Sequence, residues 1–187
     1  MDWQQIIKNK KQTYCWDDRV PDRKIIDQIL NEVHDNCPSK QNLVPYKIEV
    51  LDWSNKERRN QIFKDTWCDT DTPEDRRNPQ VLAPYLFTFS FRETNDQDAN
   101  SSSQLEIGLA AMFVVLSAGN YGLNAGFCSC YHGNDIDLMV GVGYAGPNMG
   151  MFWNPVLQQE QETPGTEPGN STNDDDIKPN KNDYIKF

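Results

Sequence analysis

The sequence predicts one globular domain that mixes helices with strands, followed by a polar tail. Three stretches carry that prediction. Ser103 to Tyr131 is a long apolar run with a start signal, a stop signal and a strand directly behind it. Val81 to Arg92 alternates, with Phe87, Phe89 and Phe91 on one side and Thr88, Ser90 and Arg92 on the other, the pattern of a half-buried strand. Ile25, Ile26, Ile29, Leu30 and Val33 fall at the spacing of an amphipathic helix lying on a core. A chain of 187 residues suffices for one such domain, placed at 1–156. Residues 157–176 then read as a flexible acidic, low-complexity segment and 177–187 as a C-terminal anchor ending in Tyr184, Ile185 and Phe187, able to dock on a partner subunit.

In chain order, Asp2 to Gln12 predicts a short helix with Trp3, Ile6 and Ile7 on one side. Lys8, Lys10 and Lys11 in its last turn complement the helix dipole or form an anion pocket. Val20-Pro21 opens the amphipathic helix, which ends near Asp35-Asn36. Cys37 to Tyr46 is a polar loop bracketed by Pro38 and Pro45, suited to a ligand site or to a stiff connector, and it leads into a strand with Tyr46, Ile48 and Val50 on one face. Trp53 to Trp67 predicts a third helix, polar on most sides, and Cys68 to Asn78 a charged loop. Asn95 to Ser102 predicts a polar loop.

Ser103 with Glu106 three residues later reads as a capping box that starts the central helix. From Ile107 to Ala118 no polar stripe appears, so this helix should cross a core or an interface, and it is too short to span a membrane. Gly119 and Gly122 supply left-handed positions that end it. Ala125 to Tyr131 is a strand with Cys128 and Cys130 on one face and Phe127, Ser129 and Tyr131 on the other. Asp137 to Tyr144 is the last core strand, and its glycines predict close approach of a neighbouring group.

A formal net charge of −10 argues against a nucleic-acid or anionic-membrane partner, either of which needs a basic face. Five cysteines, odd in number, with no C-x-x-C pair and no leader of charged then apolar residues, point to a reducing cytoplasm. Cys128, Cys130 and His132 would place three zinc-type ligands on one strand face, where structural zinc wants four from separate segments; no metal is expected. No G-x-S-x-G, Walker A or G-x-G-x-x-G loop occurs, so an enzyme built on this chain borrows its reactive group.

The motifs taken together resemble the FMN-dependent nitroreductase family over most of residues 4 to 145. The matching pieces are the basic segment Lys10 to Val20, Pro38-Ser39-Lys40-Gln41-Asn42-Leu43-Val44-Pro45-Tyr46, Ala83-Pro84, Gly122-Leu123-Asn124-Ala125 and Val142-Gly143-Tyr144. That resemblance implies an α+β fold with a small central mixed sheet flanked by helices, and a homodimer with the central helix and FMN at its interface. It implies electron transfer from NADH or NADPH to a nitroaromatic, quinone or similar small-molecule acceptor by ping-pong kinetics. The flavin carries the chemistry, so no catalytic side chain is required. Specialised members that destroy flavin or dehalogenate an aromatic, and non-catalytic relics of the fold, are the alternative readings.

By the same resemblance, Lys10 and Gln12 hold the FMN phosphate, with Lys11 sharing the charge and Tyr14 near the phosphate or the ring's N1 side. Pro38, Ser39 and Asn42 lie along the isoalloxazine of the partner subunit's flavin, and Phe127, Cys128, Ser129 and Cys130 turn backbone N–H groups toward N5 and O4. Arg76, Arg77 or Asn78 reaches N1 and O2, and Lys178 or Lys181 reaches the phosphate from the C-terminus. The Lys-x-Gln-x-Tyr pattern replaces an R-x-S-x-R-like one, which removes bidentate phosphate recognition and one charge. The chain is also short between Phe63 and Leu86, with no helical lid there.

Overall fold

A four-stranded sheet carries helices on one face and a second, mixed layer on the other. The computed structural model describes residues 2–9, 12–13, 15–67 and 78–146. Lys10, Lys11, Tyr14, the 68–77 loop with Arg76 and Arg77, and everything from 147 onward, including Lys178, Lys181 and the predicted tail and anchor, lie outside the described residues. The elements are α1 (Trp3–Asn9), α2 (Arg23–Asn36), β1 (Tyr46–Leu51), α3 (Lys56–Lys64), β2 (Tyr85–Phe91), α4 (Gln97–Ser101), α5 (Ser103–Asn120), β3 (Asn124–Cys128) and β4 (Leu138–Gly143). Strand order is β1-β2-β4-β3, and all three pairings are antiparallel, where a mixed sheet was expected. Among the described residues no helix is long and apolar enough to cross a membrane.

The central strand β2 explains the layering. Tyr85, Phe87 and Phe89 face a cluster with Ile26, Ile29 and Val33 of α2 and Ile107, Ala111 and Val114 of α5. Leu86 faces a second cluster with Trp16, Leu51, Ile62, Phe63 and Met139. Both faces of β2 are therefore dry as far as Phe89, and even Thr88 is buried, while Phe91 is exposed. The expected half-buried pattern fails because the strand has covered neighbours on both sides. β2 also begins at Tyr85, since Pro79–Leu82 winds into a 3-10 turn capped by the Asn78 side chain, which accepts from Gln80 N–H.

Arg59 ties this second layer together. It is 4% exposed although α3 reads as polar, and its guanidinium donates to the carbonyls of Leu51 (3.2 Å), Val81 (2.9 Å) and Ala83 (2.7 Å) while lying 4.1 Å from the centre of the Trp53 ring. Burial pulls this cation down to about 9, with the Asp52 carboxylate opposing. The 3-10 turn is thus pinned to β1 and α3 at once, which fixes where Asn78 and Gln80 stand.

Other boundaries shift for local reasons. α1 stops at Asn9, and only Ile6 of its apolar side is buried, Trp3 and Ile7 being exposed. α2 begins at Arg23, because the Asp22 side chain accepts from Lys24 N–H and caps it. α3 covers only Lys56–Lys64 of the expected span. The stretch expected as a loop from Asn95 to Ser102 holds α4, started by the Asp96 carboxylate accepting from Ala99 N–H at 2.7 Å. α5 follows with no side-chain cap, and the predicted capping box is absent because Glu106 bonds elsewhere.

Gly119 is still helical, and Gly122 alone takes the left-handed conformation, with φ +73°. Leu123 N–H then closes back on Ala118 C=O and Gly122 N–H on Gly119 C=O. β3 ends at Cys128, after which Tyr131 bridges to Thr66 and Cys130 C=O accepts from Trp67 N–H. The β4 glycines admit close neighbours as expected: a Cβ on Gly141 would lie 2.2 Å from Gln80 O, and one on Gly143 2.6 Å from Pro84 Cδ.

Candidate functional site

The described candidate residues fall into two groups. The first gathers on the open edge of β3. Thr13 N–H donates to Ala125 C=O at 3.1 Å, so the segment after α1 runs beside this strand. The Gln12 amide then pairs with both backbone groups of Phe127, donating to its C=O at 2.5 Å and accepting from its N–H at 2.9 Å. Close by, Asn78 Nδ2 donates to Cys130 Sγ at 3.9 Å. Gln80 packs its Cγ against Gly126 and is 3% exposed, and its Oε1 is a buried acceptor with no hydrogen-bond partner among the described residues.

These contacts engage two of the four backbone donors expected along this strand. Gln12 takes the Phe127 N–H, and strand alternation turns the Cys128 N–H inward toward Met139 of β4. Ser129 is exposed, and its N–H meets no acceptor among the described residues. Nothing local marks Gln80, because a lone glutamine beside a proline carries no motif and its place depends on Gly126, 46 positions away in the chain.

The second group is the loop before β1. Ser39 Oγ donates to Glu106 Oε2 at 2.6 Å and accepts from Val44 N–H at 2.8 Å. Lys40 N–H donates to Glu106 Oε1 at 3.0 Å. Arg92 donates to the carbonyls of Leu43 and Val44. Gln41, Asn42 and Val44 all have positive φ, at 52°, 58° and 48°. Pro38 and Asn42 are exposed, and the Asn42 side chain has no hydrogen-bond partner among the described residues. Burial pushes the adjacent Cys37 thiol up and Tyr46 up as well, so neither is an ionised nucleophile near neutral pH.

Register sets the two groups at different levels of the sheet: the loop enters at Tyr46, opposite Phe91, whereas Gly126, against which Gln80 packs, aligns through Gly141 and Leu86 with Leu51 at the far end of β1. Tyr46 pairs with Phe91, Phe89 with Leu138, and Met139 with Cys128. Three inter-strand steps separate β1 from β3, about 14 Å. Within one chain the groups flank the sheet from opposite edges. Between them the described residues hold no group of three metal-ligating side chains, and His132 is stacked on Trp67 at 3.7 Å between ring centres.

No protein-family model matches the sequence, and no curated protein matches it. Solved structures do. A nitroreductase family protein from Clostridium novyi NT superposes with a TM-score of 0.63 at 14% identity, covering 78% of this chain and 86% of its own. An FMN-dependent nitroreductase from Clostridium difficile R20291 gives 0.59 at 15% identity, covering 88% and 99%. A protein from Exiguobacterium sibiricum 255-15 solved in complex with FMN gives 0.62 at 14% identity, covering 85% and 96%. The structural neighbours are consistently nitroreductase family proteins, and the chain has their fold.

Proposed function

From that fold we propose that the chain is an FMN-dependent oxidoreductase, passing electrons from NADH or NADPH to a nitroaromatic, quinone or similar acceptor with ping-pong kinetics. The observation that carries this reading is the Pro38–Tyr46 motif, which holds Gln41, Asn42 and Val44 in left-handed backbone where the chain enters β1. The residues present fit the group. Gln80 Oε1 is a buried acceptor to which the N–H of an isoalloxazine ring could donate, and the exposed Asn42 amide has no hydrogen-bond partner among the described residues. When bound, FMN supplies two-electron redox chemistry that no side chain here provides. The protein's own share is to seat and orient: Gln80, Asn78 and Ser129 at one edge, Pro38, Ser39 and Asn42 at the other, with Lys10, Lys11, Tyr14, Arg76, Lys178 and Lys181 as the proposed phosphate and ring contacts beyond the described residues.

A homodimer completes the site in this reading. The two edge groups lie too far apart to line one ring from a single chain, so a second copy brings its Pro38–Pro45 loop to the first copy's β3 edge. The stripe Leu105, Leu109 and Met112, exposed at 68%, 40% and 38% on α5, supplies the contact surface. The odd number of cysteines and the lack of a C-x-x-C pair support a reducing cytoplasm.

The test is the visible spectrum of the purified protein reconstituted with FMN, before and after NADH or NADPH without oxygen. Bound flavin that bleaches, and recovers its colour with a quinone or nitroaromatic, is the expected result. No flavin uptake refutes the reading. Gln12 favours a second reading, since its amide is engaged with Phe127 and no longer free as a whole for phosphate. A fold that binds flavin without turnover would show colour that neither nicotinamide bleaches.

A further inference from the structure

Glu106 has no part in the proposed role, yet its carboxylate is the most engaged group beside the loop. It stands on the first turn of α5, 4% exposed, and accepts from Ser39 Oγ–H and Lys40 N–H. Because Ser39 Oγ also accepts from Val44 N–H, one line of hydrogen bonds runs from carboxylate to hydroxyl to amide and ties both ends of the loop to α5. Arg92 holds the Leu43 and Val44 carbonyls from the other side. Between these clamps Val44 sits at φ 48°. A β-branched residue is a genuine outlier in that region and stays there only when its surroundings over-determine it.

We infer that Glu106 is a positioning residue, whose carboxylate, acting through Ser39, holds the Pro38–Pro45 loop in the left-handed form that presents Pro38 and Asn42 to the cofactor. The inference rests on the flavin reading for its consequence, though not for the clamp itself. Pro38 and Asn42 are exposed, so loop order rather than packing around them sets where they point. Glu106 also neighbours Leu105 of the exposed stripe, so the loop and the face offered to a second copy share one helix turn.

The experiment compares wild type, Glu106→Ala, Glu106→Gln and the double variant Glu106→Ala with Val44→Gly, reading amide hydrogen exchange at Val44 and FMN affinity. In Glu106→Ala the Val44 amide exchanges at least about tenfold faster and FMN binds about tenfold more weakly, as expected for lost charge-assisted hydrogen bonds. Glu106→Gln keeps the shape and an acceptor for Lys40 N–H, and falls between; it also serves if the alanine variant fails to fold. Adding Val44→Gly recovers affinity, because glycine adopts positive φ without the clamp. Unchanged Val44 exchange in both single variants overturns the clamp whatever the flavin does. Weakened binding that Val44→Gly does not recover overturns the positioning role and marks general loss of fold. Wild type that binds no flavin, with Val44 still freed by Glu106→Ala, refutes the flavin reading and leaves the clamp standing.

Discussion

Replacing Leu105 with lysine should split the pair of chains that the proposed site requires. Leu105, Leu109 and Met112 together leave the equivalent of roughly one and a half full side chains in water, and burying a full side chain of this kind contributes about 2 kcal/mol. The stripe is therefore worth about 3 kcal/mol per copy and about 6 kcal/mol for a two-fold pair, in which the same patch is used twice. Leu105 is 68% exposed, so Leu105→Lys removes about 1.4 kcal/mol per copy and close to 3 kcal/mol per pair. At about 1.4 kcal/mol per tenfold, the dimer dissociation constant rises about 100-fold. Sedimentation equilibrium over a range of protein concentrations reads that constant, and far-ultraviolet circular dichroism checks that the monomer stays folded, as it should because α5 buries its opposite face within the chain. Flavin retention falls in parallel, since the second copy supplies one edge of the site. A variant that associates as tightly as wild type, or a wild type that sediments at the 21.5 kDa of one chain, refutes the reasoning.

Three further outcomes test the site and its frame. Gln80→Met replaces an unpaired buried acceptor with an apolar side chain of similar shape, so the flavin-free protein gains about 1 kcal/mol in urea unfolding while FMN affinity drops; lost stability would mean that Oε1 is satisfied. Gly141→Ala drives a Cβ to 2.2 Å from the Gln80 carbonyl, which is backbone pinned through Arg59 and cannot yield. Overpacking of about 3 kcal/mol, read as a Tm lower by about 10 °C, is expected, and a shift under about 2 °C would contradict it. Hydrogen bonds from Ser54, then the cations Arg23 and Arg59, hold the Asp52 carboxyl below its ordinary value against the effect of burial. A depressed folded value makes its contribution full above the unfolded carboxylate pKa of about 3.9 and lost as pH falls through the folded one. Asp52→Asn should therefore cost stability at neutral pH and flatten the acid limb below about pH 4, which unfolding measured against pH will show.

The helices and strands were legible because their signals are local. The alternation from Phe87 to Phe91, the isoleucine face of α2 and the bare apolar run of α5 each declare themselves within a few residues. Misreadings occurred wherever a polar side chain found a distant partner. Ser103 and Glu106 have capping-box spacing, but Ser39 and Lys40 offer Glu106 better donors from 66 and 67 positions away. Arg59 reads as a surface residue of a polar helix until the carbonyls of Leu51, Val81 and Ala83 converge on it. The pairing of the Gln12 amide with the Phe127 backbone spans 115 positions and likewise has no local signal.

Periodicity, turn chemistry and motif spacing act over a few residues, so most of the elements, their order, the Pro38–Tyr46 loop and the glycines that let layers touch are written locally in the chain. Which face of α5 stays in water, the dryness of β2 on both sides, and the separation of the Pro38–Pro45 loop from the Asn78–Gln80 turn by three strands of the sheet emerge only from the packed chain. Those outcomes depend on strand order and on hydrogen bonds between residues dozens of positions apart, where the free energy of burying a polar group unpaired outweighs any local preference.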